Sequence, residues 1–394
     1  MDYTKLKVIY YDSDIINLDN IIWGLLQLGV DVVRSKIRAC LKEVDFEQVE
    51  LIKNEVKEYD YAISQNFIRT LAEGCKEAGV KYISWIYDSP QVQLYTDQGL
   101  YDTNYVFAFD KCQQKRLNEL GLTHVFYQPL AANIAYISTV KMSKGESIQY
   151  ASDISFIGQL YRLSYYFNFV PKLNQNTKEE LQRVIDEYAL NWGKGISIFN
   201  KINEDCVSDI FSIMTKGDFD IFHIDKRFIE ETMLLAPGIA QRERMTLLEE
   251  ATHIGKTSLY TKDSDVEAVR SINGLNVNGY VSGDIPYKIY LSSKINLNIS
   301  YRTIETGAPQ RIFDIMGSSG FVLSNYQEEL EELFVPDKEI VLYSSIDEFR
   351  DKVSFYLQKE RLREKIAIAG YNRVKREYNY CDSLARIFTI TSTN

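Results

Sequence analysis

Short apolar runs alternate with amphipathic segments through the first third of the chain, the rhythm of strands joined by helices. Residues 7–11 (Lys-Val-Ile-Tyr-Tyr) read as a strand, 19–28 as a helix ended by Gly29, and 30–33 as the next strand. The spacing predicts further strands at 59–64, 80–87, 105–109 and 124–127, with helices over 67–78 and 111–120 that stop at Gly79 and Gly121. Strands separated by helices of roughly ten residues are the pattern of βαβ units, so this part predicts a doubly wound parallel sheet. Residues 134–152 are polar and unpatterned, as expected of an interdomain linker.

A second set of units begins at Ile154, where Ile154-Ser155-Phe156-Ile157 leads into Gly158. A helical, aromatic-rich stretch follows and is expected to be an insertion over about 160–240. The strand pattern returns at 257–260, 277–281, 295–299, 320–323 and 339–343, and helices are predicted at 346–358, 361–378 and 383–390. The expected organisation is a first domain over 1–150, a second over 151–375 and a C-terminal helix within 376–394 packing back on the first. Two tandem Rossmann-like domains place a cleft where the carboxyl ends of their strands face each other. No internal repeat is present.

Length and composition narrow the function. The 394 residues suffice for two to three domains, and 45% apolar with 25% charged residues is ordinary for a globular protein. Lys plus Arg total 45 against 55 Asp plus Glu, and this net charge of −10 argues against nucleic acid as a partner. Five dispersed cysteines and three histidines offer no zinc-ligand cluster. The first residues lack the apolar core of a signal peptide, and the longest weakly charged stretch, 21–30, is shorter than the roughly 18–20 residues a membrane span requires, so a cytoplasmic location without a membrane span is expected. An aromatic content of 13%, with 28 Tyr and 19 Phe, is a weak hint of sugar-stacking surfaces, because tyrosine also suits half-buried strands and helices.

The first predicted strand is followed by Tyr11-Asp12-Ser13-Asp14 rather than a G-x-G-x-x-G turn, and the chain has no P-loop and no G-x-S-x-G elbow. Dinucleotide-dependent oxidoreductases, P-loop NTPases and α/β hydrolases are therefore disfavoured. The informative segment runs from Ser300 to Gly317, where a strand, the loop Arg302-Thr303-Ile304-Glu305-Thr306-Gly307 and a helix opened by Pro309 come together. Free backbone N–H groups there suit a diphosphate, with Arg302 and Arg311 adding charge. Arg311 and Asp314 share a helical face, so one can meet phosphate while the other accepts ribose hydroxyls; an ordinary surface ion pair explains the spacing equally well.

Segment 285–380 resembles the CgeB-like (spore-maturation type) glycosyltransferases. The likeness is carried by Ile289-Tyr290-Leu291-Ser292-Ser293-Lys294-Ile295-Asn296-Leu297-Asn298, Arg311-Ile312-Phe313-Asp314, Gly320-Phe321-Val322-Leu323-Ser324 and Ala369-Gly370-Tyr371. Trp85-Ile86-Tyr87-Asp88-Ser89-Pro90 and Phe107-Ala108-Phe109-Asp110-Lys111 are similar to that family's N-terminal domain. The resemblance implies an α/β GT-B fold, a nucleotide-sugar donor (UDP-linked) on the second domain and a protein or surface-glycan acceptor on the first. It implies transfer of a hexose or N-acetylhexosamine by a bacterial enzyme without metal or other cofactor.

By that likeness the donor residues are Gly158, Arg162, Arg302, Glu305, Thr306, Gly307, Arg311 and Asp314. The Glu-x7-Glu motif of retaining GT-B enzymes is altered here: Asp314 takes the second position, and Glu305 stands one residue too far away for the first, so a backbone contact from Glu305-Thr306-Gly307 is an equal alternative. Asp88, at a strand's carboxyl end, is the candidate catalytic residue: a general base if the anomeric centre inverts, an acceptor-orienting group if it is retained. An Asx turn before Pro90 is the structural alternative for Asp88. Three Asp-x-Asp triplets (Asp12/Asp14, Asp218/Asp220, Asp263/Asp265) would suit a metal-dependent GT-A enzyme, but two α/β halves fit that fold poorly. A non-catalytic carbohydrate-binding or scaffolding partner and a sugar-nucleotide epimerase are the competing functions, and a homo-oligomer is compatible with the composition.

Overall fold

The computed structural model describes residues 2–12, 19–41, 43–213, 223 and 225–393. Among the described residues twelve strands form two six-stranded sheets. The first holds β1 (Lys7–Tyr11), β2 (Asp31–Arg34), β3 (Tyr61–Gln65), β4 (Lys81–Trp85), β5 (Asn104–Ala108) and β6 (Val125–Tyr127) in the order β2-β1-β3-β4-β5-β6. The second holds β7 (Ser152–Ile157), β8 (Thr257–Tyr260), β9 (Leu275–Asn278), β10 (Ser293–Asn298), β11 (Val322–Asn325) and β12 (Val341–Tyr343) in the order β12-β11-β10-β7-β8-β9. Every pairing is parallel. The central strands β3 and β5 are buried along their whole length, which is why they read as unbroken apolar runs rather than alternating ones.

Strand order reverses between β1 and β3 in the first sheet and between β7 and β10 in the second. In open parallel sheets a ligand crevice lies beyond the strand ends at such points. One apolar cluster runs through the seam between the halves: Phe107, Phe109, Leu130 and Ala132 of the first pack with Ala308, Ile312, Phe313 and Met316 of the second. The closing helix Tyr380–Thr393 adds Tyr380, Leu384 and Phe388 to this cluster and lies on the helix Asn20–Gln27, with Lys81 Nζ donating to Thr391 O at 2.8 Å.

Two sequence expectations need correction. Residues 134–152 are not an unstructured linker but carry the helices Ile134–Ile137 and Lys144–Gln149, the second opened by a reciprocal Ser143–Glu146 capping box. A helix over Phe46–Val56 escaped the sequence reading; Asp45 caps it, and Val49, Ile52 and Val56 form its narrow buried stripe, with Phe46 and Leu51 left exposed among its polar residues. The aromatic-rich stretch is helical as expected, with helices Tyr165–Phe169, Gln175–Tyr188, Glu204–Ile213 and Lys226–Glu230, the last continuing through a π turn into Ala236–Thr252. This insertion has its own core around Leu181, Ile185, Ile198 and Leu235. It also reaches the first domain, where Phe228 packs on Tyr95 and the Arg116 guanidinium lies over Phe199 and Phe228.

The halves approach closely at Gly307. A Cβ there would stand 2.8 Å from Phe109 O and 3.0 Å from Asp110 Cα, backbone atoms that cannot rotate away. Gly307→Ala is therefore expected to destabilise the folded protein by about 1–3 kcal/mol, the usual cost of overpacking, measured as a lower denaturation midpoint in urea.

Candidate active site

The loop after β7 meets the crevice of the second sheet. A Cβ on Gly158 would come within 2.6 Å of the Phe156 ring and 3.1 Å of Arg311 Nη2, so the strand end lies directly on the Arg311 guanidinium. Arg311 donates from Nε to Ile157 O (3.0 Å) and from Nη1 to Asn298 Oδ1 (2.9 Å). Arg244, only 2% exposed, donates from Nη1 to Gln159 O and from Nη2 to Ile299 O (3.0 Å), while its Nε has no hydrogen-bond partner. Among the described residues neither arginine has a carboxylate within ion-pair distance; both are held by neutral oxygens at the carboxyl ends of β7 and β10. Burial and the nearby Arg244 charge lower the Arg311 pKa, but a guanidinium remains charged at any physiological pH. Two cations withdrawn from water without counter-charge make a preorganised anion site.

Asp265 holds the 158–162 loop in place, accepting from Leu160 N (2.7 Å), Arg162 N (3.0 Å) and Thr261 Oγ1 (3.0 Å). Arg162 itself is exposed, its guanidinium over the Phe167 ring at 4.7 Å. This accounts structurally for the Asp263/Asp265 triplet. Asp14, Asp218 and Asp220 of the other two lie outside the described residues, and among the described residues no three potential ligands cluster as a metal site.

Asp314, one turn into the helix Gln310–Gly317, sits beside a cavity of about 430 Å³ between the two domains. Asp19, Tyr280, Val281, Tyr287 and Tyr290 also line it, and Tyr280 is half exposed. Gln310 Nε2 donates to Asp314 Oδ1 at 2.9 Å, and burial pushes the carboxyl up to about 7 against that bond. Arg311 and Asp314 form no ion pair with each other, so the sequence-level alternative of a surface pair does not describe them.

The loop preceding this helix lies against the first domain. Arg302 is buried in a pair with Glu243 (Nε to Oε1, 2.7 Å) and donates to Tyr188 O and Asn191 O, tying the insertion to the sheet. Glu305 pairs with Arg116 and accepts from Ser197 Oγ at 2.6 Å. Thr306 Oγ1 lies within hydrogen-bond distance of both Asp110 (3.0 Å) and Glu329 (2.7 Å), and Gly307 abuts Phe109. Thus Gly158 and Arg311 meet at the end of β7 and Asp314 lines the cavity beyond it, whereas Arg302, Glu305, Thr306 and Gly307 join domains and insertion, the first three also lining a separate cavity of about 160 Å³ with Ser197 and Gln327.

Across the cleft, Asp88 follows β4 and keeps solvent access although protein surrounds it. That enclosure raises its pKa, opposed by a bond from Asn66 Nδ2 (2.7 Å). Asn66, in the left-handed region with φ 58°, also accepts on Oδ1 from Tyr87 N (2.7 Å) and Asp88 N (3.2 Å), so one side chain fixes the whole turn. The sequence carried no signal for Asn66 or for Arg244, which lies in a helix where it reads as a solvated charge. His124 stacks on Tyr105, His223 meets Asp97 and His253 is exposed, so none joins the cleft groups described here.

Two parallel six-stranded sheets facing one crevice define the GT-B class of fold, as the family resemblance implied. Residues 244–389 match a family model described as glycosyl transferase-like, beginning at Arg244. No curated protein matches the sequence. Among solved structures, HepE of Anabaena in complex with UDP-glucose is similar over 99% of this chain and 100% of its own, with TM-score 0.55 and 9% identity. A glycosyltransferase from Rickettsia africae is similar over the full length of both chains (TM-score 0.57, 11% identity), and a sucrose-phosphate synthase from Thermosynechococcus elongatus over 98% of each (0.56, 8%). Among the described residues no helix is long and apolar enough to cross a membrane.

The raised pKa of Asp314 has a sign. Between its ordinary 3.8 and about 7 the folded protein holds a proton that the unfolded chain has lost, so this group removes stability as pH rises through that window. Asp314→Asn is expected to raise Tm by about 1–3 °C at pH 8 and to leave it unchanged near pH 4.5, measured by scanning calorimetry.

Proposed function

We propose that this protein is a CgeB-like glycosyltransferase that moves a hexose or N-acetylhexosamine from a UDP-linked donor to a hydroxyl of a protein or surface-glycan acceptor in the bacterial cytoplasm, without a metal. The observation that carries this reading is the pair of Arg244, which is buried, and Arg311, which is partly buried against the Gly158 loop, both paired only with neutral oxygens. Such a pair favours a diphosphate and favours it more as negative charge develops on the leaving oxygen, which is the electrostatic contribution glycosyl transfer requires. Asp314, at the adjoining interdomain cavity, accepts ribose hydroxyls, and Tyr280 and Tyr287 offer ring faces to the base. The UDP-glucose bound in the structurally similar HepE supports a uridine donor.

On the facing domain Asp88 meets the acceptor. Its raised pKa suits proton uptake from a hydroxyl if the reaction inverts, and Asn66 holds the carboxylate in place. Little covalent chemistry falls to the remaining residues, which position donor and acceptor.

Thermal-shift titration with UDP, GDP, ADP and CMP and with their sugars tests the site. One nucleotide at a hundredfold excess over its Kd stabilises a single-site protein by about 2.7 kcal/mol, and no shift with any of them would leave a non-catalytic binding role. Arg311→Ala and Arg244→Ala are expected to weaken UDP binding by about 10- to 100-fold, the loss of a charged hydrogen-bond donor; unchanged affinity would overturn the site. Asp88→Ala should lower turnover with donor affinity intact, and turnover should persist in EDTA.

A further inference from the structure

Two buried carboxyl groups face each other across the domain seam through one hydroxyl. Asp110, at the end of β5, accepts four hydrogen bonds, two from its own domain (Ser89 Oγ, 3.0 Å; Cys112 N, 2.9 Å) and two from the other (Glu305 N, 2.8 Å; Thr306 Oγ1, 3.0 Å). Glu329, on the helix Glu328–Leu333 of the second domain, accepts from Lys111 N (2.8 Å), Tyr127 OH (2.6 Å) and the same Thr306 Oγ1 (2.7 Å). Asp110 is 0% and Glu329 1% exposed. Thr306 has a single hydroxyl proton, yet its oxygen lies within hydrogen-bond distance of an oxygen of each carboxyl. With both acids ionised, one carboxylate oxygen would face a hydroxyl lone pair; with one acid protonated, Thr306 accepts from that acid and donates to the other.

We propose that Asp110 and Glu329 hold one shared proton through Thr306 and that this proton latches the two domains shut. Its loss places two negative charges on opposite sides of the seam, where water cannot screen them, and drives the domains apart. The neighbouring cations are engaged elsewhere: Lys111 Nζ is paired with Glu332 and Arg116 with Glu305, while Lys194 meets Glu328 on the outer face of the Glu329 helix; the Arg116 charge still draws the Asp110 pKa down, but less than burial pushes it up. The other titratable groups facing the pair, the Tyr127 hydroxyl and the Cys112 thiol, have their own pKa values raised and stay neutral through the physiological range. Burial pushes the Glu329 carboxyl up to about 7, with Asp110 adding to the rise, so release falls near neutrality.

Small-angle X-ray scattering of the unliganded full chain at pH 6 and pH 8.5 tests the latch. A compact chain of this length has a radius of gyration near 21 Å, and the wild type is expected to gain about 1 Å at pH 8.5. Glu329→Gln, which cannot ionise, should stay compact at both values, and Asp110→Asn does the same from the other side should the first variant fold poorly. Asp314→Asn should open like the wild type, which separates the seam from the crevice carboxyl. A radius that is the same at both pH values in the wild type, or opening of a folded Glu329→Gln or Asp110→Asn protein like the wild type, would overturn the proposal.

Discussion

Asp110 receives hydrogen bonds from both halves of the chain at the end of a buried strand, and the crevice depends on that junction. A carboxyl taken out of water is costly unless its lone pairs are met, and here they are met only when the 303–307 loop of the second domain lies against the first. Gly307 permits the approach, Thr303 Oγ1 donates to Ser89 O beside it, and the apolar cluster of Phe109, Ala308, Ile312 and Phe313 continues across the join. The helix Gln310–Gly317 leaves directly from this junction, so the placement of Arg311 and Asp314 in the crevice follows from the way the domains are joined.

Charge is used in two ways in the interior. Arg302 and Glu243 compensate each other and hold the insertion on the sheet. Arg244 and Arg311 are denied acidic partners, and Asp314 stands at a cavity wall without an ion-pair partner, an arrangement that suits a bound, charged ligand. The insertion has a core of its own but is fastened to the rest of the chain at Arg302 and at Arg116, through Glu305 and the Phe199 and Phe228 rings.

Much of the architecture was legible along the chain, because strands buried on both faces must be nearly continuous apolar runs and their helices must end at glycines such as Gly79 and Gly121, both in the left-handed region. The helix Phe46–Val56 was missed because only three of its apolar residues form the buried stripe and the exposed Phe46 and Leu51 blur the period, and the helices within 134–152 because their stabilisation comes from caps and from packing rather than from periodicity. Around the site the outcome was mixed. Gly158 and Arg311 meet, with Asp314 on the adjoining cavity, and the loop Arg302 to Gly307 engages the opposite domain and the insertion while Arg302, Glu305 and Thr306 line a second cavity.

By itself the sequence determined two parallel sheets, their order along the chain and hence a crevice at the strand ends, since these follow from periodicity and turn chemistry within short windows. Only the tertiary structure decided which charges meet. Asp110 and Thr306 are 196 positions apart, and Arg244 is 85 from the carbonyl it holds at Gln159. Whether a side chain is a solvated charge, a structural pair or a buried and unpaired cation depends on burial and on partners from distant segments, and no local pattern contains either.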